Sequence, residues 1–289
     1  MVELLESQPW VPVSAPMVRY SKLPFRLLVR EYGVKITFTP MVLADSFIHS
    51  SLARDLEYQR CPADAPVVIQ FAARNAYEFA NAAEIAAPHV DGIDLNCGCP
   101  QRWALQQGLG ARLMAVEPEH LRDMIRQARG RAVRTPVSVK MRIFDDQRRT
   151  VDLARMLEAA GAAWVTVHGR RKEQKPSEPI DPVAIRLVKD ALAVPVIANG
   201  NVFTLHDATE LHRLTGANGI MAARGLLENP ALFTGQPQTP WTAVQRYLDL
   251  AVAYGSGQAI LHHHLVSMLQ PILPAPLARH FNTLSSSPA

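Results

Sequence analysis

At 289 residues and 48% hydrophobic content the chain can bury one large core, so a single α/β barrel fits as well as two ordinary domains. No charge-free apolar run reaches the roughly 18 residues a membrane helix needs, and the opening Met1-Val2-Glu3-Leu4-Leu5-Glu6 is acidic where a signal peptide is basic, so a cytoplasmic protein is expected. The net charge is only +4, but 24 of the 30 basic residues are Arg, the better fork for phosphate and base edges, although on composition alone a GC-rich gene is the preferred explanation of that excess.

Short apolar, β-rich runs recur along the chain, each followed by a stretch of helical period. Strands are predicted at residues 12–16, 35–40, 66–71, 92–96, 136–142, 163–168, 194–199 and 219–223. Helices are predicted between them at 23–32, 76–87, 117–129, 151–160, 182–192 and 205–214, several ending near Gly. Eight alternating units predict a parallel (β/α)8 TIM barrel, with a doubly wound open sheet as the alternative. Residues 239–254 and 258–270 read as two further helices, followed by a proline-interrupted segment and a frayed Ser285-Ser286-Ser287-Pro288-Ala289. The expected division is therefore a barrel over 1–236 and a small helical appendage over 237–289.

In such a barrel the C-terminal strand ends face the active site. Those ends carry Met17, Gln70, Asn96, Lys140 with Arg142, His168, Asn199 and Arg224, so polar groups from seven strands are expected to converge on one mouth. After the seventh and eighth strands, Asn199-Gly200-Asn201 and Ala223-Arg224-Gly225 sit where barrels bind phosphate, which implies a phosphate-bearing cofactor. Lys140 stands between Val139 and Met141 in an apolar strand, so an anionic ligand is expected to offset its burial. Reduced flavin is such a ligand, with Gln70 able to hydrogen-bond its ring and His168 able to hold either the flavin or a substrate carbonyl, and none of these residues is unique to flavin.

Two of the three cysteines stand together in Leu95-Asn96-Cys97-Gly98-Cys99-Pro100-Gln101-Arg102-Trp103. Zinc wants four ligands and Cys61 stands alone, so no metal is expected there. The run His262-His263-His264 points three ways on a helix and is no better. A nucleophilic thiol and a thiol acting as general acid both remain open from the residues alone.

Taken together, Ala15-Pro16-Met17, Gln70-Phe71, Asn96-Cys97-Gly98-Cys99-Pro100, Lys140-Met141-Arg142, Val167-His168-Gly169-Arg170, Asn199-Gly200-Asn201 and Ala223-Arg224-Gly225 resemble the tRNA-dihydrouridine synthases. The wording of residues 15–26 and 96–111 is most similar to the fourth eukaryotic class, the dihydrouridine synthase 4-like proteins. The resemblance implies an FMN barrel that reduces the C5–C6 bond of a D-loop uridine in tRNA, with NADPH as reductant. It makes Cys99 the proton donor to C5, with hydride passing from flavin N5 to C6, and Cys97 passive. It assigns FMN binding to Pro16, Met17, Val18, Gln70, Lys140, His168, Asn199, Gly200, Asn201, Ala223, Arg224 and Gly225, and substrate contacts to Asn96, Arg142 and Arg170. A monomer modifying positions 20a and 20b is expected, without membrane or metal.

Barrel topology also sorts the charge runs. Arg148 and Arg149 follow the fifth strand, and Arg170, Arg171, Lys172 and Lys175 the sixth, so both groups rim the mouth and are expected to touch RNA. Arg122, Arg126 and Arg129 lie on an outer helix and read as a solvated face. Relative to the family pattern the chain is expected to lack about its last helix, which puts turnover in more doubt than FMN binding. The rival readings are a flavin barrel that binds tRNA with little or no catalysis, an FMN reductase of free pyrimidines, and a non-flavin barrel for phosphorylated sugars.

Overall fold

The computed structural model describes residues 1–115 and 118–284. Its eight strands are β1 (Val11–Ser14), β2 (Ile36–Leu43), β3 (Val67–Ala72), β4 (Gly92–Cys97), β5 (Val137–Arg142), β6 (Val165–His168), β7 (Val196–Asn199) and β8 (Gly219–Ala222). They pair in parallel in chain order, and β8 closes on β1, giving the TIM barrel. Strands buried on both faces read as nearly continuous apolar runs, which is why they are visible in the sequence. The second strand runs three residues past its predicted end. Its register shifts between Phe38 and Met41, where Pro40 has no N–H to give the ladder. At that shift the Thr39 hydroxyl accepts the Gln70 N–H at 3.1 Å and keeps the buried donor satisfied.

Two apolar layers hold the barrel. Val11, Val13, Ile36, Phe38, Val68, Trp164, Ile197 and Met221 fill its interior, joined by Leu5 from a helix at Val2–Glu6. Ile69, Leu95, Cys97, Val139, Val167 and Ala198 point the other way and pack under the surrounding helices. The side-chain period of two sorts each strand between these layers, and polar residues in the inward set therefore face the barrel axis.

The helices predicted between strands are present, at Leu23–Glu31, Ala76–Ala86, Pro118–Arg131, Gln147–Ala160, Pro182–Ala191 and Leu205–Thr215. The expected start of the third at Glu117, and the frayed tail at 285–289, lie outside the described residues. Short helices not expected from the sequence include Ala44–His49, Ser51–Glu57, Arg102–Gln106 and Arg224–Glu228, each too brief to show a helical period.

The helix Trp241–Ala253 buries Ala243, Val244, Tyr247 and Leu250 and lies against Leu23–Glu31, with Arg246 and Glu31 2.8 Å apart. It lies beyond the boundary expected near 237, and Gln258–Leu269 and Ala275–Asn282 follow it. His264 is fully buried among Tyr20, Phe25 and Tyr247, and its Nε2 lies 3.1 Å from the Tyr20 carbonyl oxygen, tying these helices to the loop after β1. No helix among the described residues is long and apolar enough to cross a membrane.

Candidate active site

Alternation along β4 turns Asp94 and Asn96 inward and Leu95 and Cys97 outward, and the chain then leaves the barrel as Gly98-Cys99-Pro100. Asn96 Oδ1 accepts the backbone N–H groups of Gly98 at 3.1 Å and Cys99 at 2.9 Å, so one side chain folds the loop back over its own strand end. From the next strand, Arg142 Nε donates to the Gly98 carbonyl oxygen at 2.6 Å and its Nη1 to that of Arg171 at 3.1 Å. Opposite, Ala111 N–H donates to the Cys99 carbonyl oxygen at 2.9 Å. Gly110 makes that approach possible: its φ is +61°, and a Cβ there would sit 2.6 Å from the Cys99 oxygen and 2.8 Å from the Cys99 Cβ.

The two thiols end in different places. Cys97 is 1% exposed in the layer between barrel and helices, whereas Cys99 is half-buried at the mouth. Burial pushes the Cys99 thiol above its usual pKa, against a backbone hydrogen bond and the charges of Arg142 and Lys140, so it stays protonated at neutral pH.

Next to this loop lies a cavity lined by Ala15 and Pro16 from the end of β1, Lys140 and His168, the segment Asn199–Phe203, and Ala223, Arg224 and Gly225. Lys140 Nζ donates to Asn199 Oδ1 at 2.8 Å, and Asn199 Nδ2 donates to the Met221 carbonyl at 2.9 Å. Burial, helped by Arg142, pulls Lys140 down to about 7, while Asp94 and Cys99 pull the other way. His168 falls to about 2 through burial first and the cations Lys140, Arg142, Arg170 and Arg224 next, so it is neutral. Its Nδ1 accepts the Arg170 N–H at 3.1 Å, which leaves the proton on Nε2 as a donor. Arg170 is 4% exposed and bonded to the Glu178 carbonyl and to Asn201. Gly225 lies against the neighbouring loop so closely that a Cβ would stand 2.2 Å from the Val202 oxygen, bringing the β7 and β8 loops into contact. Arg224 remains exposed, with its guanidinium 5.4 Å over the Phe203 ring.

The expected site residues thus fall on one end of the barrel, though not all on one wall. Met17 N–H is taken by Ser21 Oγ at 3.0 Å, and Val18 faces an adjoining cavity with Arg19, Met41 and Tyr254. Gln70 is fully buried, its amide spanning Asp94 and Asn96 at 2.7 Å on each side. A second cavity, about 630 Å³, opens beyond Arg142 and is lined by Phe144, Arg149, Arg171 and Lys172 from the basic rim and by Met114. Asp94, Ser138, Ser21 and Gly110 are not legible as site residues in the sequence: the first three read as ordinary strand or loop polar residues, and only a two-residue period counted inward from Asn96 singles out Asp94. No group of three or more His, Cys, Asp or Glu suited to a metal occurs among the described residues.

Residues 13–278 match the family model described as dihydrouridine synthase. The chain is 45% identical over its full length to a human tRNA-dihydrouridine(20a/20b) synthase-like protein, covering 91% of that protein. It is 43% identical over 90% of its length to the tRNA-dihydrouridine(20a/20b) synthase of Schizosaccharomyces pombe, covering 79% of it. In fold it is similar to an old yellow enzyme homologue from Zymomonas mobilis, with a TM-score of 0.55 at 10% identity over 76% of this chain and 86% of that one. With a family model spanning both the barrel and the helices that follow it, the chain belongs to the dihydrouridine synthase family.

Proposed function

We propose that the chain reduces a D-loop uridine of tRNA to 5,6-dihydrouridine. The observation that carries this reading is the half-buried, protonated thiol of Cys99, held on a loop tied at both ends beside a cavity with a phosphate-type wall. The donor set of that cavity fits FMN. The facing loops of β7 and β8, with exposed Arg224, suit its phosphate, and Lys140 with the Nε2–H of neutral His168 suits the electron-rich edge of the ring. FMN held there and reduced by NADPH would supply hydride chemistry, from its N5 to C6 of the uracil. An anion beside Lys140 offsets the cost of burying its ammonium and so favours the reduced, negatively charged cofactor. Pro16, Asn199, Gly200, Asn201, Ala223 and Gly225 shape the same pocket, and Met17 and Val18 would reach the cofactor from the segment that follows Pro16.

Cys99 Sγ gives its proton to C5 while C6 gains hydride, so the C5–C6 double bond becomes a single bond and a thiolate is left to regain a proton from solvent. A thiol that rests protonated supports the role of proton donor over that of a resting nucleophile. Asn96 has a second amide hydrogen to offer the uracil, Arg142 lines the second cavity at the mouth and would meet the substrate there, and Arg170 lines the cofactor cavity at the edge the substrate would approach. The rim Arg148, Arg149, Arg171, Lys172 and Lys175 would hold the RNA backbone while the base leaves the stack. Names of the relatives favour positions 20a and 20b, and a cytoplasmic monomer fits this role.

Incubating the protein with tRNA, FMN and NADPH and measuring dihydrouridine by mass spectrometry tests the reading. New dihydrouridine in the D loop supports it. FMN-bound protein that binds tRNA but forms none, or reduces free uracil instead, overturns it in favour of a binding protein or a free-pyrimidine reductase.

A further inference from the structure

Asp94 lies fully buried below the mouth, two residues before Asn96 on β4. Each carboxylate oxygen takes one hydrogen bond, Oδ1 from Ser138 Oγ at 2.6 Å and Oδ2 from Gln70 Nε2 at 2.7 Å. A carboxylate only accepts, so it admits the Gln70 amide in a single orientation. That turns Gln70 Oε1 toward Asn96, where it accepts from Nδ2 at 2.7 Å. Asn96 is then fixed as well, and its Oδ1 faces the N–H groups of Gly98 and Cys99. Reversing Asn96 would set its NH2 group against those donors, and reversing Gln70 would set its oxygen against the carboxylate and its NH2 against that of Asn96.

We propose that Asp94 is a positioning residue for Cys99, setting the direction of a three-link chain of hydrogen bonds that ends on the Cys99 backbone. The inference rests on the reading of Cys99 as proton donor and adds the group that aims it. Burial lifts the Asp94 pKa to about 6, with Ser138, Gln70 and the Lys140 charge opposing the rise, so at neutral pH the carboxylate is ionised and purely an acceptor. An apolar residue here would fill the barrel interior without that desolvation cost, but would leave the Gln70 amide free to turn.

The reactivity of Cys99 toward iodoacetamide, read at the single residue by mass spectrometry, tests the chain without requiring turnover. Releasing the loop exposes the thiol and raises its thiolate fraction. Asp94→Leu, Gln70→Met and Asn96→Ala are each expected to raise the Cys99 rate by about tenfold, the size of one lost charge-assisted hydrogen bond. Asp94→Asn should stay within about twofold of native, because Ser138 also reaches the Ile93 carbonyl, at 3.3 Å, and can turn to accept from the new amide, leaving the Asn oxygen to Gln70. The double variant Asp94→Leu/Asn96→Ala should react no faster than Asn96→Ala alone, since both cut one chain.

A native rate in Asp94→Leu, or a double variant showing the product of the two single effects, overturns the proposal. If Asp94→Leu does not fold, Gln70→Met carries the same test, and a native rate there overturns it equally. Alkylation requires no turnover, so a protein that shows this pattern yet forms no dihydrouridine would sink the proposed reaction and leave the role of Asp94 standing.

Discussion

The Nε of Arg142 lies 2.6 Å from the carbonyl oxygen of Gly98, and the same guanidinium reaches the Arg171 carbonyl at 3.1 Å, so one side chain ties the Cys99 loop to the loop after β6. Replacing it frees both loops at the mouth while leaving the cofactor wall in place. Arg142→Met is expected to retain FMN and to lower kcat by about ten- to a hundredfold, the worth of a lost hydrogen bond from a charged group. Steady-state kinetics with tRNA, alongside the flavin absorbance of the purified protein, check this.

Under the proposed reading, Lys140 should make binding of reduced FMN depend on pH. In the free protein its pKa is held down to about 7, chiefly by burial, and an anion beside it raises that value. Above about pH 7 the free protein has lost this proton and the complex keeps it, so binding takes up a proton and affinity falls as pH rises, by at most about tenfold per unit. Anaerobic titrations of apoprotein with reduced FMN from about pH 7 to 9 should show this slope, and Lys140→Met should remove it.

The loop after β1 depends on a buried ion pair. Arg26 is 1% exposed and meets Asp64, which is fully buried, at 2.7 Å, while its Nη1 donates to the Ser21 carbonyl at 2.7 Å. Ser21 Oγ in turn holds the Met17 N–H and the Ala15 carbonyl. Asp64→Ala leaves a buried guanidinium without its counter-charge and should cost about 3–5 kcal/mol of stability. Denaturant midpoints at constant m should show that loss, with Arg26→Met/Asp64→Leu less damaged than Asp64→Ala.

Much of this architecture can be read from the residues. Strands buried on both faces give unbroken apolar runs, and residues such as Lys140 and His168 interrupt them where the mouth lies. What escapes is direction. Gln70 reads as a partner of the cofactor ring, and that its amide bonds Asp94 and Asn96 is a fact of pairing between strands distant in sequence, which the residues alone do not show. Arg142 likewise reads as one more basic group at the mouth, and only the fold shows that its guanidinium is spent on carbonyls. The role of Gly110 stays hidden because its reason is a backbone approach to Cys99, eleven residues earlier in the chain.

The basic rim separates from the outer helix by position. Arg148 and Lys175 are exposed at the mouth, whereas Arg126 is exposed on Pro118–Arg131, away from it. Arg148→Glu/Lys175→Glu should weaken tRNA binding and flatten its dependence on salt by roughly 0.7–0.9 for each phosphate no longer neutralised, while Arg122→Glu/Arg126→Glu should bind as the native protein does. Filter binding across a salt series checks both, and equal losses would contradict the assignment.

The most direct test compares the two thiols of one loop in single-turnover reduction of tRNA uridine by FMN-loaded, prereduced protein. Cys99→Ala should stay yellow when reoxidised and lose about two to four orders of magnitude in rate, the usual worth of a general acid. Cys97→Ala, which trims a side chain packed outside the barrel, should keep the native rate. Native turnover in Cys99→Ala would contradict the account.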